Sequence, residues 1–231
     1  MRQYAKLSIV YHAWAYALGL FIGASLAIGQ SGQNPPIEKL SDSVYRIGTV
    51  RLDREKREIY LSGRVNMNRG IVEVVACGPQ GKLHESIFVL DVVAHDLQVA
   101  MLLLGADSDH VRFSEDGDHL LGGDTVDVFV SWANGGEQIS YPAKDLVLST
   151  DGRNVLTLQP WIFLGSRIVD GVFQADVHQS IISTFYEQNP LDAIIACQPA
   201  QTIPVTDLMA NAKLLPIVDT PIEMSIKIPM K

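Results

Sequence analysis

The sequence predicts an α+β fold: a predominantly antiparallel β domain with one or two short helices packed on the sheet. Three observations lead there. Many short runs rich in Val, Ile, Tyr and Phe recur along the chain, most of them bounded by clusters of Gly, Asn, Asp or Pro. Only one stretch, His95 to Gly105, is dominated by good helix formers and closed by a glycine. The 231 residues are 47% hydrophobic and 19% charged with two cysteines, which excludes a disordered chain and a disulfide-dense miniprotein. That length suits one globular domain with an appendage.

The appendage comes first. Arg2 and Lys6 precede Leu7 to Gly29, a stretch without any Asp, Glu, Lys or Arg. A charged start, an apolar centre and the small residues Gly23, Ala24, Ser25, Ala27 and Gly29 match a secretory signal, with Ala27-Ile28-Gly29 as the cleavage site. The same run also reaches the length of about 20 residues that spans a bilayer, so the second, less favoured reading keeps residues 7–29 as a membrane anchor with Tyr11, Trp14 and Tyr16 near one interface. Either alternative puts the rest of the chain outside the cytoplasm: periplasmic, secreted, or tethered by the first helix. Residues 1–29 are thus signal or anchor, 30–42 a polar, Pro-containing linker, and 43–231 a single domain.

Within that domain, Val44 to Val50 and Arg57 to Val65 read as a hairpin around a charged turn. Ile71 to Cys77 is a short β-branched strand; Gly78-Pro79-Gln80-Gly81 breaks it, and Glu85 to Val93 resumes. Asp96 is the expected cap and Gly105 the expected end of a largely buried helix against the sheet. Residues 107–123, acidic and Gly-containing, read as an irregular loop. In Thr125 to Trp132, Val126, Val128 and Val130 alternate with Asp127, Phe129 and Ser131, and Asn134-Gly135-Gly136 turns the chain back into Glu137 to Tyr141. Further short strands are expected at 145–150, 161–165 and 172–175, and Glu223 to Ile228 finishes the sheet. Residues 180–196 stay open between strand and short helix, divided by Asn189-Pro190.

The stretch Ala76-Cys77-Gly78-Pro79-Gln80-Gly81-Lys82-Leu83-His84-Glu85-Ser86, followed by an apolar strand and a Leu-rich helix ending in Leu104-Gly105-Ala106, resembles the YdjY-type domain of exported bacterial proteins. Val126-Asp-Val-Phe-Val-Ser-Trp132 and Pro160-Trp-Ile-Phe-Leu-Gly-Ser166 are similar to that family's second sheet region. The resemblance runs from about Val44 to near the carboxy terminus. It implies an exported protein of a family without an established activity. Some relatives carry a ferredoxin-like label, but an iron–sulfur cluster is held by four thiolates and this chain has Cys77 and Cys197 alone, so no such cluster is expected. Ile182-Ser183-Thr184-Phe185 stands where the family pattern has a Cys-Val-x-Asn-Phe-like segment.

His84, Glu85 and Ser86 offer a base, an acid and a nucleophile. On a strand, however, His84 and Ser86 share one face and Glu85 the other, and the chain has no Gly-x-Ser-x-Gly elbow, so the favoured reading is a polar cluster that pins the Gly78 to Gly81 turn. Asp107, Asp109, Glu115, Asp116, Asp118, Asp124 and Asp127 supply hard oxygens of the kind Ca²⁺ prefers, with Asp116, Asp118 and Asp124 the weak candidates. Their spacing fits no calcium loop, and a solvated acidic loop is the better reading. His95, His110, His119 and His178 lack zinc-site spacing. Cys77 and Cys197 are either a disulfide formed after export or two buried thiols.

A net charge of −8 and a pI near 5.1 exclude a nucleic-acid partner, which needs a clustered basic surface. Two function classes then compete. One is an exported binding or structural domain without catalysis and without a cofactor, meeting an envelope or protein partner. The other is a hydrolase or metal-dependent enzyme using His84 with nearby carboxylates. The lack of a complete catalytic constellation favours the first.

Overall fold

The computed structural model describes residues 36–108, 112–113, 119–120, 122–154, 156, 159–185, 193–197 and 208–230. The expected signal or anchor at 7–29 lies outside them, as do Asp116 and Asp118. No helix among the described residues is long and apolar enough to cross a membrane.

The strands are β1 (Ile37–Lys39), β2 (Val44–Ile47), β3 (Val50–Asp53), β4 (Glu58–Val65), β5 (Val74–Cys77) and β6 (Ser86–Leu90), followed by helix α1 (Ala94–Leu103). After it come β7 (Arg112–Phe113), β8 (His119–Leu120), β9 (Thr125–Asn134), β10 (Glu137–Pro142), β11 (Val147–Ser149), β12 (Trp161–Phe163), β13 (Ile168–Val169) and β14 (Val172–Phe173). Helix α2 (Gln174–His178), β15 (Ser180–Ser183), β16 (Ala193–Cys197), β17 (Leu208–Ala210) and β18 (Pro221–Lys227) complete the order.

The expected α+β architecture is wrong. The order β4-β18-β9-β12-β16-β15-β5-β6 closes on itself, because β6 returns to pair with β4 through Gly63↔Leu90, Arg64↔Val89 and Val65↔Phe88. The domain is therefore a mostly β protein built on a closed eight-stranded barrel. Two of the ring's pairings, β15–β16 and β5–β6, are parallel and the others antiparallel. The carboxy-terminal strand does not finish an edge; it sits between β4 and β9 along most of its length.

Eight strands leave an interior wide enough for side chains alone. Alternation supplies them: Ile59, Leu61 and Val65 of β4, Val126, Val128, Val130 and Trp132 of β9, and Ile222, Met224 and Ile226 of β18 join one buried cluster with Phe88, Trp161 and Phe163. On the other side of the ring the pattern changes, because β5, β6, β12, β15 and β16 are buried at every position. Outer-facing Ile162, Leu164 and Ala196 form a second cluster, and Val74, Cys77 and Val89 a third.

The first three strands peel away from the ring. β1 pairs with β2, which takes Ile37 to Lys39 out of the expected linker, and β3 pairs with Glu58 to Tyr60 of β4. Helix α1 packs against β2, β3 and α2, burying Ala94, Leu97, Ala100 and Met101. Val93 precedes it without a side-chain cap, so Asp96 is a first-turn residue and not the cap. Gly105 ends it at φ +78°, a conformation a β-carbon disfavours.

Candidate functional site

The structure commits the sequence's main candidates to local bonds. Leu83–Glu85 is a 3-10 turn, and Ser86 opens β6 fully buried. The Ser86 hydroxyl donates to the Lys82 carbonyl oxygen at 2.7 Å, while His84 Nε2 lies 3.0 Å from Glu85 Oε1 on a side chain that is 77% exposed. Asn66, which sequence reasoning missed, holds the turn from the other side: its amide donates to the carbonyls of Leu83 at 2.6 Å and Ser86 at 2.8 Å. The Gly78–Gly81 turn docks on Gln179, whose carbonyl accepts from the Gly78 N–H and whose side-chain oxygen accepts from the Gln80 N–H. His84 and Ser86 are not brought together.

Of the other candidates, Asp109, His110, Glu115, Asp116 and Asp118 lie outside the described residues. Asp124 Oδ2 accepts the Asp107 N–H at 2.8 Å, and the Asp124 N–H returns a bond to the Asp107 carbonyl, so this pair braces the start of β9. No group of three or more His, Cys, Asp or Glu suited to a metal occurs among the described residues. Cys77 and Cys197 are free, buried thiols. Cys77 pairs with Ser180 at the start of β15, whereas Cys197 follows Ala196, the partner of Ser183 at its end. Two strand spacings of about 4.8 Å already exceed disulfide reach.

A site does form where sequence alone shows no signature. One edge of β9 is shared: Thr125 and Val126 pair with β12, whereas Phe129 to Asn134 pair with β10. Asp127 and Val128 fall in the gap between, and the two partner strands diverge there. The fork opens a slot of about 300 Å³ lined by Asp127, Val128, Phe129, Pro142, Lys144, Asp145 and Trp161. Lys144 and Asp145 come from a 3-10 turn, Ala143–Leu146, that begins as β10 ends at Pro142.

Trp161 is 1% exposed, and its indole Nε1 is the single buried side-chain nitrogen or oxygen without a hydrogen-bond partner among the described residues. Leaving such a donor unpaired costs about 1–3 kcal/mol. Its cross-strand partner is Cys197. Burial pushes the Cys197 thiol up to about 12, opposed by the Lys144 ammonium. Asp145 Oδ1 accepts from Asn154 Nδ2 at 2.9 Å, which fixes one wall. A larger groove of about 580 Å³ lies farther along β9, where Trp132 stacks on Tyr141 at 5.5 Å beside Leu214, Pro216 and Ile217.

The YdjY domain family model matches residues 50–169, more than half of the chain. This chain belongs to the YdjY domain family. The matched span runs from the start of β3 to the end of β13 and contains every residue of the Trp161 slot as well as the 83–86 turn. The last barrel strand, β18, lies beyond it. No curated protein and no solved structure matches the chain. The YdjY domain itself is of uncharacterised function, so the reading of its site rests on the geometry. Pro160 to Ser166 already stood out as a family-like segment, but the unpaired indole and the fork beside it depend on strand pairing and leave no trace in the sequence.

Proposed function

We propose that this YdjY domain protein is an exported, non-catalytic binding domain of the cell envelope, and that it binds through the Trp161 slot. The observation that carries the reading is the slot at the fork of β9, which counts among its lining residues Trp161, whose buried indole N–H has no acceptor. The competing reading, a hydrolase using His84, is disfavoured by the buried Ser86 hydroxyl, whose proton is given to the Lys82 carbonyl. Export is supported by Arg2 and Lys6 ahead of the uncharged run 7–29. The envelope or protein partner is then met outside the cytoplasm.

Two experiments test this. The chain has three tryptophans, so a ¹⁵N spectrum of the full-length protein shows three indole signals, and Trp161→Phe assigns one of them. Titration with acetate, acetamide, alanine and glucose at millimolar concentration is expected to move the Trp161 signal with at least one of them; none moving it overturns the binding reading. Fractionation with amino-terminal sequencing is expected to recover the chain outside the cytoplasm, cleaved near Gly29 or membrane-bound. A soluble cytosolic pool beginning at Met1 overturns export.

A further inference from the structure

Exposed apolar side chains gather on one lobe of the domain. Val93 ahead of α1, Ile168, Val169 and Val172 of the β13–β14 hairpin, and Val177 of α2 are each more than a third exposed. These elements are bonded to one another. The His95 N–H of α1 donates to Asp176 Oδ1 of α2 at 3.1 Å, and the His95 ring meets the Phe173 ring edge-on at 5.2 Å. Gln98 of α1 accepts the Ser166 N–H and donates to the Ser166 carbonyl, while the Gln174 N–H donates to the Arg167 carbonyl, so the base of the hairpin is fixed. Asp170 and Gly171 take positive φ, +50° and +78°, in the two-residue turn that pairs Val169 with Val172. Ordered structure thus holds these side chains in solvent, and clustered exposed apolar surface marks a contact face.

The course of the chain says what the face meets. Ile37, the first residue of β1 and itself half exposed, pairs with Ile47. The next residue, Gly48, lies so close to Asp96 of α1 that a β-carbon on it would overlap the Asp96 carboxylate. The polypeptide therefore enters the domain beside the start of α1. Residues 30–36 separate Ile37 from the uncharged run 7–29, and seven residues reach at most about 25 Å. The other end of β3 leads into Arg54-Glu55-Lys56-Arg57, four charged residues in succession. On the lobe itself, exposed Arg167 and Asp170 supply one charge of each sign, the complement of the phosphate and ammonium of a zwitterionic lipid headgroup.

We propose that residues 7–29 stay as a membrane anchor and that the lobe of Val93, the β13–β14 hairpin and Val177 lies on the phospholipid surface from which the chain emerges. The inference rests on the export reading above, in its anchored form. Interfacial binding grows with the apolar area buried, and a short tether keeps the face at high local concentration.

The test uses the full-length protein in vesicles of phosphatidylcholine and phosphatidylethanolamine, with a nitroxide on Val172→Cys, Val177→Cys or Glu55→Cys; the two native thiols are buried. Labels at 172 and 177 are expected to lose access to a water-soluble nickel chelate and to gain access to oxygen, whereas the label at 55 keeps its access to the chelate. Equal chelate access at all three positions, with the chain still anchored, overturns the proposal. Spin–spin broadening at 172 that disappears on dilution with unlabelled chain seats a second copy on the face and overturns it as well. Native protein cleaved near Gly29 overturns it while leaving export standing. A soluble cytosolic pool beginning at Met1 overturns both.

Discussion

Gly63 of β4 lies against Val89 of β6 so closely that a β-carbon on Gly63 would overlap the Val89 carbonyl oxygen and stand 2.9 Å from Leu90 Cδ2. The contact falls on the seam where the eighth strand meets the first. Because β4 also pairs with β18 on its other edge, neither strand can move aside without opening the ring. Gly63→Ala is therefore expected to destabilise the protein by about 3 kcal/mol or more, as overpacking against backbone does. Urea unfolding measures it, and a change below about 0.5 kcal/mol contradicts a seam closed at this point.

The 83–86 turn makes a contrast between two residues. Asn66→Ala removes two bonds to main-chain carbonyls and is expected to cost about 1–3 kcal/mol. His84→Ala removes an exposed contact to Glu85 and is expected to stay within about 0.5 kcal/mol. Thermal melts of the two variants side by side check the order; a larger loss for His84→Ala reverses the assignment of the two roles.

Asp96 brings a pH dependence. It is buried on α1 against Gly48, where a β-carbon on that glycine would overlap Asp96 Oδ2. Burial raises its pKa above the usual 3.8, the neighbouring His95 lowers it and Asp176 raises it further. The native state thus holds the Asp96 proton more tightly than the unfolded chain. Its neutral form favours folding below 3.8, and that contribution is lost as pH rises through the raised native value. Asp96→Asn is expected to remove this slope, so that its stability relative to the wild type increases with pH across the window. An unchanged difference between the two proteins from pH 3.5 to 7, by urea unfolding, contradicts it.

The two thiols are expected to be inert in the folded protein. Burial raises both, and the Ser86 hydrogen bond to Cys77 and the Lys144 charge near Cys197 oppose the rise only in part. Iodoacetamide at pH 8 is expected to leave both unmodified until denaturant is added, when mass spectrometry shows two additions. Native modification of either thiol, or a Cys77–Cys197 bridge in the isolated protein, contradicts the packing.

The sequence by itself determined the local units. The alternation of Val126, Val128 and Val130 reports the buried face of β9 because side chains on a strand alternate between faces, and Gly135-Gly136 reports its hairpin because both residues adopt positive φ. The helix near 96–105 and the family membership were legible for similar reasons: each rests on residues close together in the chain. Barrel closure was not. β5, β6, β15 and β16 are buried on both faces, so they carry no alternation from which orientation or neighbours can be read. Strand pairing is made by backbone groups that every residue shares, and which edges meet is settled by how the whole set of side chains fills the interior. The tertiary structure alone decided that β18 lies between β4 and β9, that β6 closes on β4, and that one edge of β9 is divided between β12 and β10. The candidate site follows from that division, because the slot exists only where two strands leave the same edge and a buried indole stands at their parting.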